Sequence, residues 1–147
     1  MVNIYTIGFT QTSARQFFET LKQASIKRLI DTRLSNVSQL AGFAKKADLE
    51  YFLAQILGAE YVHLPQLLSP AQPMLDEYRK QKGSWSDYKR QFLALIQERR
   101  IETQLSPEQF LSPTVLLCSE HEAEHCHRRL IVEYLDRAWG NINAIHL

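Results

Sequence analysis

Five short runs of β-branched and apolar residues alternate along this chain with segments of helical periodicity. The runs, which are typical of buried strands, lie at residues 2–7, 28–31, 60–64, 114–117 and 143–147. Strands that alternate with helices favour a parallel sheet with helices on both faces and right-handed crossovers. We therefore predict the α/β class: a single domain over residues 1–147, a three-layer sandwich of about five mostly parallel strands.

The segments between the runs have recognisable helix signals. Apolar spacing predicts helices at residues 13–24, 48–57 and 85–100, a loop at 34–46 and a helical turn at 106–111. Ser13 and Asp48 are candidate N-caps, and Gly58 is a candidate helix stop. Residues 66–84 contain two prolines and predict a long excursion with about one helical turn. Such an excursion is the kind of segment that covers a site or carries specificity.

The composition is that of a soluble globular protein. Of the 147 residues, 45% are hydrophobic and 22% are charged, and the formal net charge is +1. This charge gives no global field that would attract nucleic acid or a membrane surface. The sequence has neither an apolar run of membrane-spanning length nor a basic and apolar signal segment at its start. We therefore predict a cytoplasmic protein without membrane contact, in which both cysteines are reduced.

Residues 114–135 join a predicted strand to a helix and contain both cysteines and three of the five histidines. At about 3.6 residues per turn, one helical face carries His127, Ile131, Tyr134 and Ala138, with Cys126 and Arg128 at its margins. His125 points away from that face. We therefore predict that His127 is buried in the first turn of a helix running to about residue 137, and that His125 is exposed.

Polar residues follow several of the predicted strands. Parallel strands place their carboxyl ends along one edge of a sheet, where open α/β folds bind ligands. That edge should collect Gly8, Thr10, Asp31, Arg33, Cys118 and Glu120, together with His127 and Arg128 from the last helix. Because buried charges are unfavourable unless paired, this convergence predicts a functional site. His127 should find a partner there in Glu120, Asp31 or a backbone carbonyl.

Cys118 is the candidate nucleophile of this site. Helix N-terminal amides and a nearby Arg128 or protonated His127 would favour its thiolate. His127 would act as base or acid, and backbone amides would stabilise an anion. The alternative is an inert buried cysteine. The stretch after Cys118 is not of the phosphatase or rhodanese type, because it lacks glycines and its arginine lies ten residues on.

Two arginines are candidate anion-binding residues. Asp31 and Arg33 follow a strand and point to the same side. Arg33, with Arg128, would hold an anionic group, while Asp31 acts as a general base or orients its partner. The alternative is a salt-bridged pair that fastens a loop. Glu120 would pair with one of the arginines or act as the acid.

Two further ligand chemistries remain at this edge. Gly8 and Thr10 precede a helix N-terminus and suit a phosphate group. Soft metal donors are present at Cys118, His121, His125, Cys126 and His127. However, the Cys-x-x-Cys spacing is missing and His125 is predicted to face outward. We therefore predict no resident metal and no other cofactor, with zinc as the alternative.

These motifs resemble those of a bacterial and archaeal family catalogued as domain of unknown function 488. The resemblance rests on residues 6–10, Asp31-Thr32-Arg33, Ser38, residues 61–64, and Cys118-x-Glu120 followed by Cys126-His127-Arg128. It implies a common fold and a shared site, with Ser38 and Cys126 among its binding residues, but no reaction. The chain departs from the family pattern at Phe9, where members often have histidine, and at Gln39, where they often have arginine. If either position takes part in the chemistry, substrate preference or activity will differ.

The predicted function is that of an enzyme-like domain with an anion-recognising polar pocket at the carboxyl edge of the sheet. Its partner would be a small-molecule anion or a nucleotide, and its reaction would be hydrolysis or group transfer on a phosphate- or nucleotide-bearing substrate. The alternative is a non-catalytic module that binds a ligand or nucleic acid with the same pocket.

Overall fold

A five-stranded parallel sheet forms the centre of the computed structural model, which describes residues 1–37 and 42–147. The strands are β1 (Val2–Gly8), β2 (Arg28–Asp31), β3 (Glu60–His63), β4 (Thr114–Cys118) and β5 (Ile142–His146). Their order across the sheet is β3-β2-β4-β1-β5, and every neighbouring pair is parallel. The predicted α/β class and strand number are confirmed.

Helices cover both faces of the sheet. They are α1 (Ala14–Gln23), α2 (Lys46–Phe52), α3 (Pro65–Leu68), α4 (Gln72–Arg79), α5 (Trp85–Arg99), α6 (Ile101–Gln104) and α7 (His127–Trp139). A π-helical turn, Leu53–Leu57, continues α2, and 3₁₀ turns lie at Gly42–Ala44 and Pro107–Phe110. No helix of the described residues is long and apolar enough to cross a membrane.

The core consists of two apolar clusters, one on each face. Successive residues of β4 divide between them: Val115 and Leu117 pack in the cluster that contains α1 and α2, and Leu116 packs in the cluster that contains α5 and α7. This division follows from the alternation of side chains along a strand. The three-layer sandwich predicted from the sequence is therefore confirmed.

Strand β4 lies in the middle of the sheet, between β1 and β2, and all its residues are buried. Cys118 pairs in register with Gly8 at the end of β1, and Leu117 pairs with Asp31 at the end of β2. The sheet thus brings residues from distant parts of the sequence to one edge, where the chain leaves β4 for the segment before α7.

Local sequence signals explain several helix ends. Ser13 caps α1 through a capping box with Gln16. Gly58 stops the π-helical turn in a left-handed conformation. The prediction of Asp48 as an N-cap is wrong, because Lys45 occupies that position and Asp48 lies in the first turn of α2.

Two other predictions need correction. Residues 66–84 form most of α3 and all of α4, because prolines at the first helical positions start these helices and do not break them.

In α7 the buried face is rotated from the predicted one. Ala138 is exposed, while Arg128 and Val132 are buried. Arg128 is buried because it donates to carbonyls of the segment that precedes the helix, and Val132 because it packs in the apolar cluster that contains α5.

Candidate functional site

His127 is the first residue of α7 and is only 7% exposed, whereas His125 is exposed. Its Nε2 atom lies 2.8 Å from the Thr32 carbonyl oxygen and 2.9 Å from the Thr32 hydroxyl. A carbonyl only accepts, so Nε2 carries the proton and Nδ1 keeps its lone pair. The prediction that His127 is buried and His125 exposed is confirmed. Of the three partners predicted for the His127 ring, the structure has the backbone carbonyl.

Burial lowers the pKa of His127 to about 4, and the hydrogen bond to Thr32 opposes this shift only in part. The imidazole is therefore neutral at neutral pH. Its free Nδ1 atom lies 3.9 Å from the Cys126 sulfur. A neutral ring with its lone pair turned toward sulfur can accept a proton or bind a metal ion.

The two cysteines meet at the end of β4. Cys118 closes the strand, and Cys126 is the residue just before α7, so residues 119–125 form a short loop whose two ends come together. The sulfur atoms are joined as a disulfide, with the Cα atoms 7.5 Å apart. The expectation of two reduced thiols is therefore wrong for this structure. One nitrogen of His127 and both sulfurs lie within 4.8 Å of one another.

Arg128 is 1% exposed and fastens this loop to the sheet. Its guanidinium donates to the Cys118 sulfur (3.3 Å), the Glu120 carbonyl, the His121 carbonyl (3.2 Å) and the Thr6 hydroxyl (3.2 Å). Burial lowers its pKa to about 10, so the group stays charged at neutral pH. Arg128 was predicted to bind an anion; in this structure its donors are directed at the protein, and a sulfur atom is among its acceptors.

Gly8 and Thr10 hold the same loop from the side of β1. A Cβ atom on Gly8 would lie 1.6 Å from the Glu120 carbonyl oxygen and 2.6 Å from Nη1 of Arg128. The Thr10 hydroxyl and amide both donate to the Ser119 carbonyl, at 2.8 and 3.2 Å. The residues predicted to suit a phosphate therefore contact main-chain atoms of the loop at the end of β1.

Asp31 and Arg33 form a buried, bidentate salt bridge. Nε and Nη2 of Arg33 donate to the two carboxylate oxygens of Asp31 at 2.9 and 2.7 Å. The Arg33 amide and the Tyr61 hydroxyl also donate to this carboxylate. Nη2 further donates to the Ala44 carbonyl, which fits the loop-fastening alternative. Among the described residues, Nη1 of Arg33 is buried without a hydrogen-bond partner.

A cavity of about 330 Å³ opens beside this salt bridge. Its lining consists of Arg33, Leu34, Ser35, Pro70, Gln72, Leu75, Arg79, Ser119 and His127. Two guanidinium groups and no carboxylate contribute to that lining within the described part of the chain. Glu120 does not line it; this side chain is half-exposed and pairs with Arg79 at 3.5 Å.

The chain matches a family model described as Domain of unknown function DUF488 over residues 13–135. It belongs to the DUF488 family. No curated protein and no solved structure matched it. The DUF488 match covers most of the chain and includes β4, the loop and the start of α7, but it brings no reaction with it.

Most predicted site residues of this DUF488 domain lie in one region, with distinct surroundings. The cluster consists of Cys118, Cys126 and His127, and the cavity is lined by Arg33 and again His127. The loop is held by Arg128, Gly8 and Thr10. Asp31 binds Arg33, while the side chain of Glu120 points outward to Arg79. Ser38 and Gln39 lie outside the described residues. Sequence reasoning missed Arg79 and Gln72, because nothing in their neighbourhood marks them as different from exposed polar residues of a helix.

Tyr61→Phe tests the surroundings of Asp31 in this DUF488 domain. The Tyr61 hydroxyl donates to Asp31 at 2.6 Å, and burial together with this bond raises the pKa of the phenol. Loss of a hydrogen bond to a charged group from a half-buried ring should lower the free energy of unfolding by about 1.5 kcal/mol. Urea denaturation measures this, with Tyr51→Phe, at an exposed ring, as the matched control. Equal effects of the two substitutions would contradict the prediction.

Proposed function

We propose that this domain binds a small anionic molecule in the cavity beside β2 and β4, and acts on it as a hydrolase or transferase. The ligand would carry a phosphate or carboxylate group, and nucleotides belong to this class. The observation that carries the proposal is the lining of the cavity, to which two arginines, Arg33 and Arg79, contribute while their carboxylate partners Asp31 and Glu120 lie outside it. Arginine is the side chain best suited to bidentate binding of such groups.

The two arginines would contribute differently. Arg33 is fixed by Asp31, and its Nη1 atom is buried without a partner among the described residues, so an anion would satisfy it only after a small movement of the cavity wall that covers this atom. Arg79 is half-exposed, and its bridge to Glu120 is long at 3.5 Å. Exposed pairs of this kind contribute little to stability. Arg79 can therefore exchange the carboxylate of Glu120 for an incoming anion at small cost.

The reactive groups would come from the cysteine and histidine cluster next to the cavity. His127 belongs to both, because it lines the cavity and lies beside the two sulfurs. The hypothesis that Cys118 attacks the substrate, with His127 as base, stays a prediction and requires the dithiol form. The contact between Arg128 and the Cys118 sulfur supports a negative charge on that atom.

A thermal-shift panel of phosphate, carboxylate, nucleotide and sugar-phosphate compounds tests the binding step. A ligand that binds only the folded state raises the melting temperature by mass action. Arg79→Gln should weaken binding roughly tenfold or more, since a hydrogen bond to a charged group contributes about 1.5–3 kcal/mol. The control is Arg90→Gln, at an exposed arginine paired with Asp87 on α5, which should leave the shift unchanged.

The same panel separates the proposal from its rival. No shift with any anion, or equal losses in Arg79→Gln and Arg90→Gln, would reject the cavity as an anion site. Double-stranded DNA belongs in the panel, because strong, salt-sensitive binding would favour a nucleic-acid-binding module. If anions bind but no turnover is measured, the conclusion is that the domain is a non-catalytic ligand-binding module.

A further inference from the structure

We infer that Cys118, Cys126 and His127 form a binding site for a soft divalent metal ion of the zinc class. The two sulfur atoms and a ring nitrogen of His127 lie within 4.8 Å of one another, and all three residues are buried. Two thiolates and one imidazole are ligands that zinc prefers. This inference concerns the same edge of the sheet as the anion cavity but does not depend on an anion binding there.

The orientation of His127 is that of a metal ligand. Its Nε2–H group donates to the Thr32 carbonyl at 2.8 Å, which leaves the lone pair of Nδ1 on the side of Cys126. Metal-binding histidines commonly donate their second ring N–H to a carbonyl or carboxylate, because that bond fixes the tautomer and the ring.

The other histidines of the loop have different surroundings. His125 stacks on Trp85 with ring centroids 5.0 Å apart, and the ring of His121 lies 2.9 Å from the Thr10 carbonyl. Neither belongs to the cluster. The sequence prediction of no metal rested on the missing Cys-x-x-Cys spacing and on the outward His125. The structure brings together a different set, in which a strand end supplies one ligand and the start of a helix supplies two adjacent ones.

Charge also fits such an ion. Two thiolates balance a divalent cation, and the guanidinium of Arg128 donates to the Cys118 sulfur at 3.3 Å, as outer-shell partners of thiolate ligands do.

Binding requires the dithiol form. A phosphine or a cellular dithiol supplies two electrons, and two protons are taken up, to convert the Cys118–Cys126 disulfide into two thiols. Each thiol then releases its proton to solvent as the ion binds. Three protein ligands leave a fourth position open, as in catalytic zinc sites, where the ion polarises a substrate oxygen or activates water. In this form Cys118 is a ligand and is not a free nucleophile.

Cobalt and zinc titrations of the full chain test the site. In protein reduced with a phosphine, cobalt(II) should bind one ion per chain, with sulfur-to-metal charge-transfer absorption in the near ultraviolet, and zinc should displace it. His127→Gln should weaken binding by more than the roughly 10–100-fold typical of an outer-shell loss. The matched control is His125→Gln, which removes the exposed neighbour two positions away and should change nothing. The disulfide form should bind no cobalt.

Two results would overturn the inference: reduced, folded wild type without charge-transfer absorption, or equal weakening by His125→Gln and His127→Gln. Far-ultraviolet circular dichroism verifies folding. If His127→Gln unfolds, the comparison of reduced with disulfide-bonded wild type decides. His127→Cys, which keeps a soft ligand, should retain cobalt. No anion enters these titrations and Arg79→Gln should leave them unchanged, so failure of the metal site and failure of the anion cavity are distinguishable.

Discussion

Asp31→Asn should lower the free energy of unfolding by about 3–5 kcal/mol, the loss expected when one partner of a buried ion pair is removed. Asp31 is fully buried and accepts hydrogen bonds from Arg33 and Tyr61. An asparagine offers one acceptor oxygen where the carboxylate offers two, and it leaves the guanidinium of Arg33 buried without a counter-charge. The substitution keeps the shape of the side chain, so the effect measures the combined loss of the charge and of one acceptor oxygen, without a change in packing volume.

Urea denaturation of Asp31→Asn gives this loss directly. Asp76→Asn is the matched control, because Asp76 pairs with Lys80 at the surface of α4, where an ion pair contributes about 0–1 kcal/mol. A loss below about 1 kcal/mol for Asp31→Asn, on the scale of that surface pair, would contradict the role of this carboxylate as the counter-charge of Arg33.

Gly8→Ala should destabilise the fold by about 3 kcal/mol, at the upper end for a methyl group forced into a packed interior. The added Cβ atom would overlap the carbonyl oxygen of Glu120 at 1.6 Å and crowd the guanidinium of Arg128 at 2.6 Å. Glu120 meets the new atom through its backbone, so the loop must move away from β1. Its displacement would carry Arg128 away from the Cys118 sulfur.

Urea denaturation and the cobalt spectrum of the reduced protein measure both effects of Gly8→Ala. Gly42→Ala is the control, since no atom of the described residues lies within 4 Å of a Cβ added at Gly42. We expect Gly8→Ala alone to lower the stability and to alter the metal spectrum. A Gly8→Ala protein as stable as Gly42→Ala would mean that the loop does not press against β1 as described.

The fold and the orientation of His127 and His125 were predictable, because both depend on short-range patterns in the sequence. The alternation of strands and helices predicted the sheet, and helical periodicity placed His127 inward and His125 outward, as the structure has them. The partner of His127 was less determined by the sequence. Any backbone carbonyl can accept from a ring N–H, so the choice of Thr32 depends on where the first residue of α7 lies relative to the residue that follows β2.

The wall of the cavity was not predictable in the same way. Arg79 lies on α4 in a stretch with two prolines, and prolines are ambiguous because they interrupt helices as well as start them. The sequence predicts that Arg128 belongs to the site but pairs it with an anionic group. Its acceptors include main-chain oxygens of Glu120 and His121, and a main-chain oxygen leaves no mark on a sequence.

The position of Arg128 has a consequence for the rate at which anything reaches Cys118. The guanidinium of Arg128 contacts both the Cys118 sulfur and two carbonyls of the loop. The loop therefore cannot move away from β4 unless Arg128 also leaves the sulfur. Exposure of the sulfur is then a concerted opening of loop and arginine together, a local unfolding event with its own rate constant. Reagents and oxidants that react with the open form faster than the loop recloses would all modify the reduced thiol at that common rate.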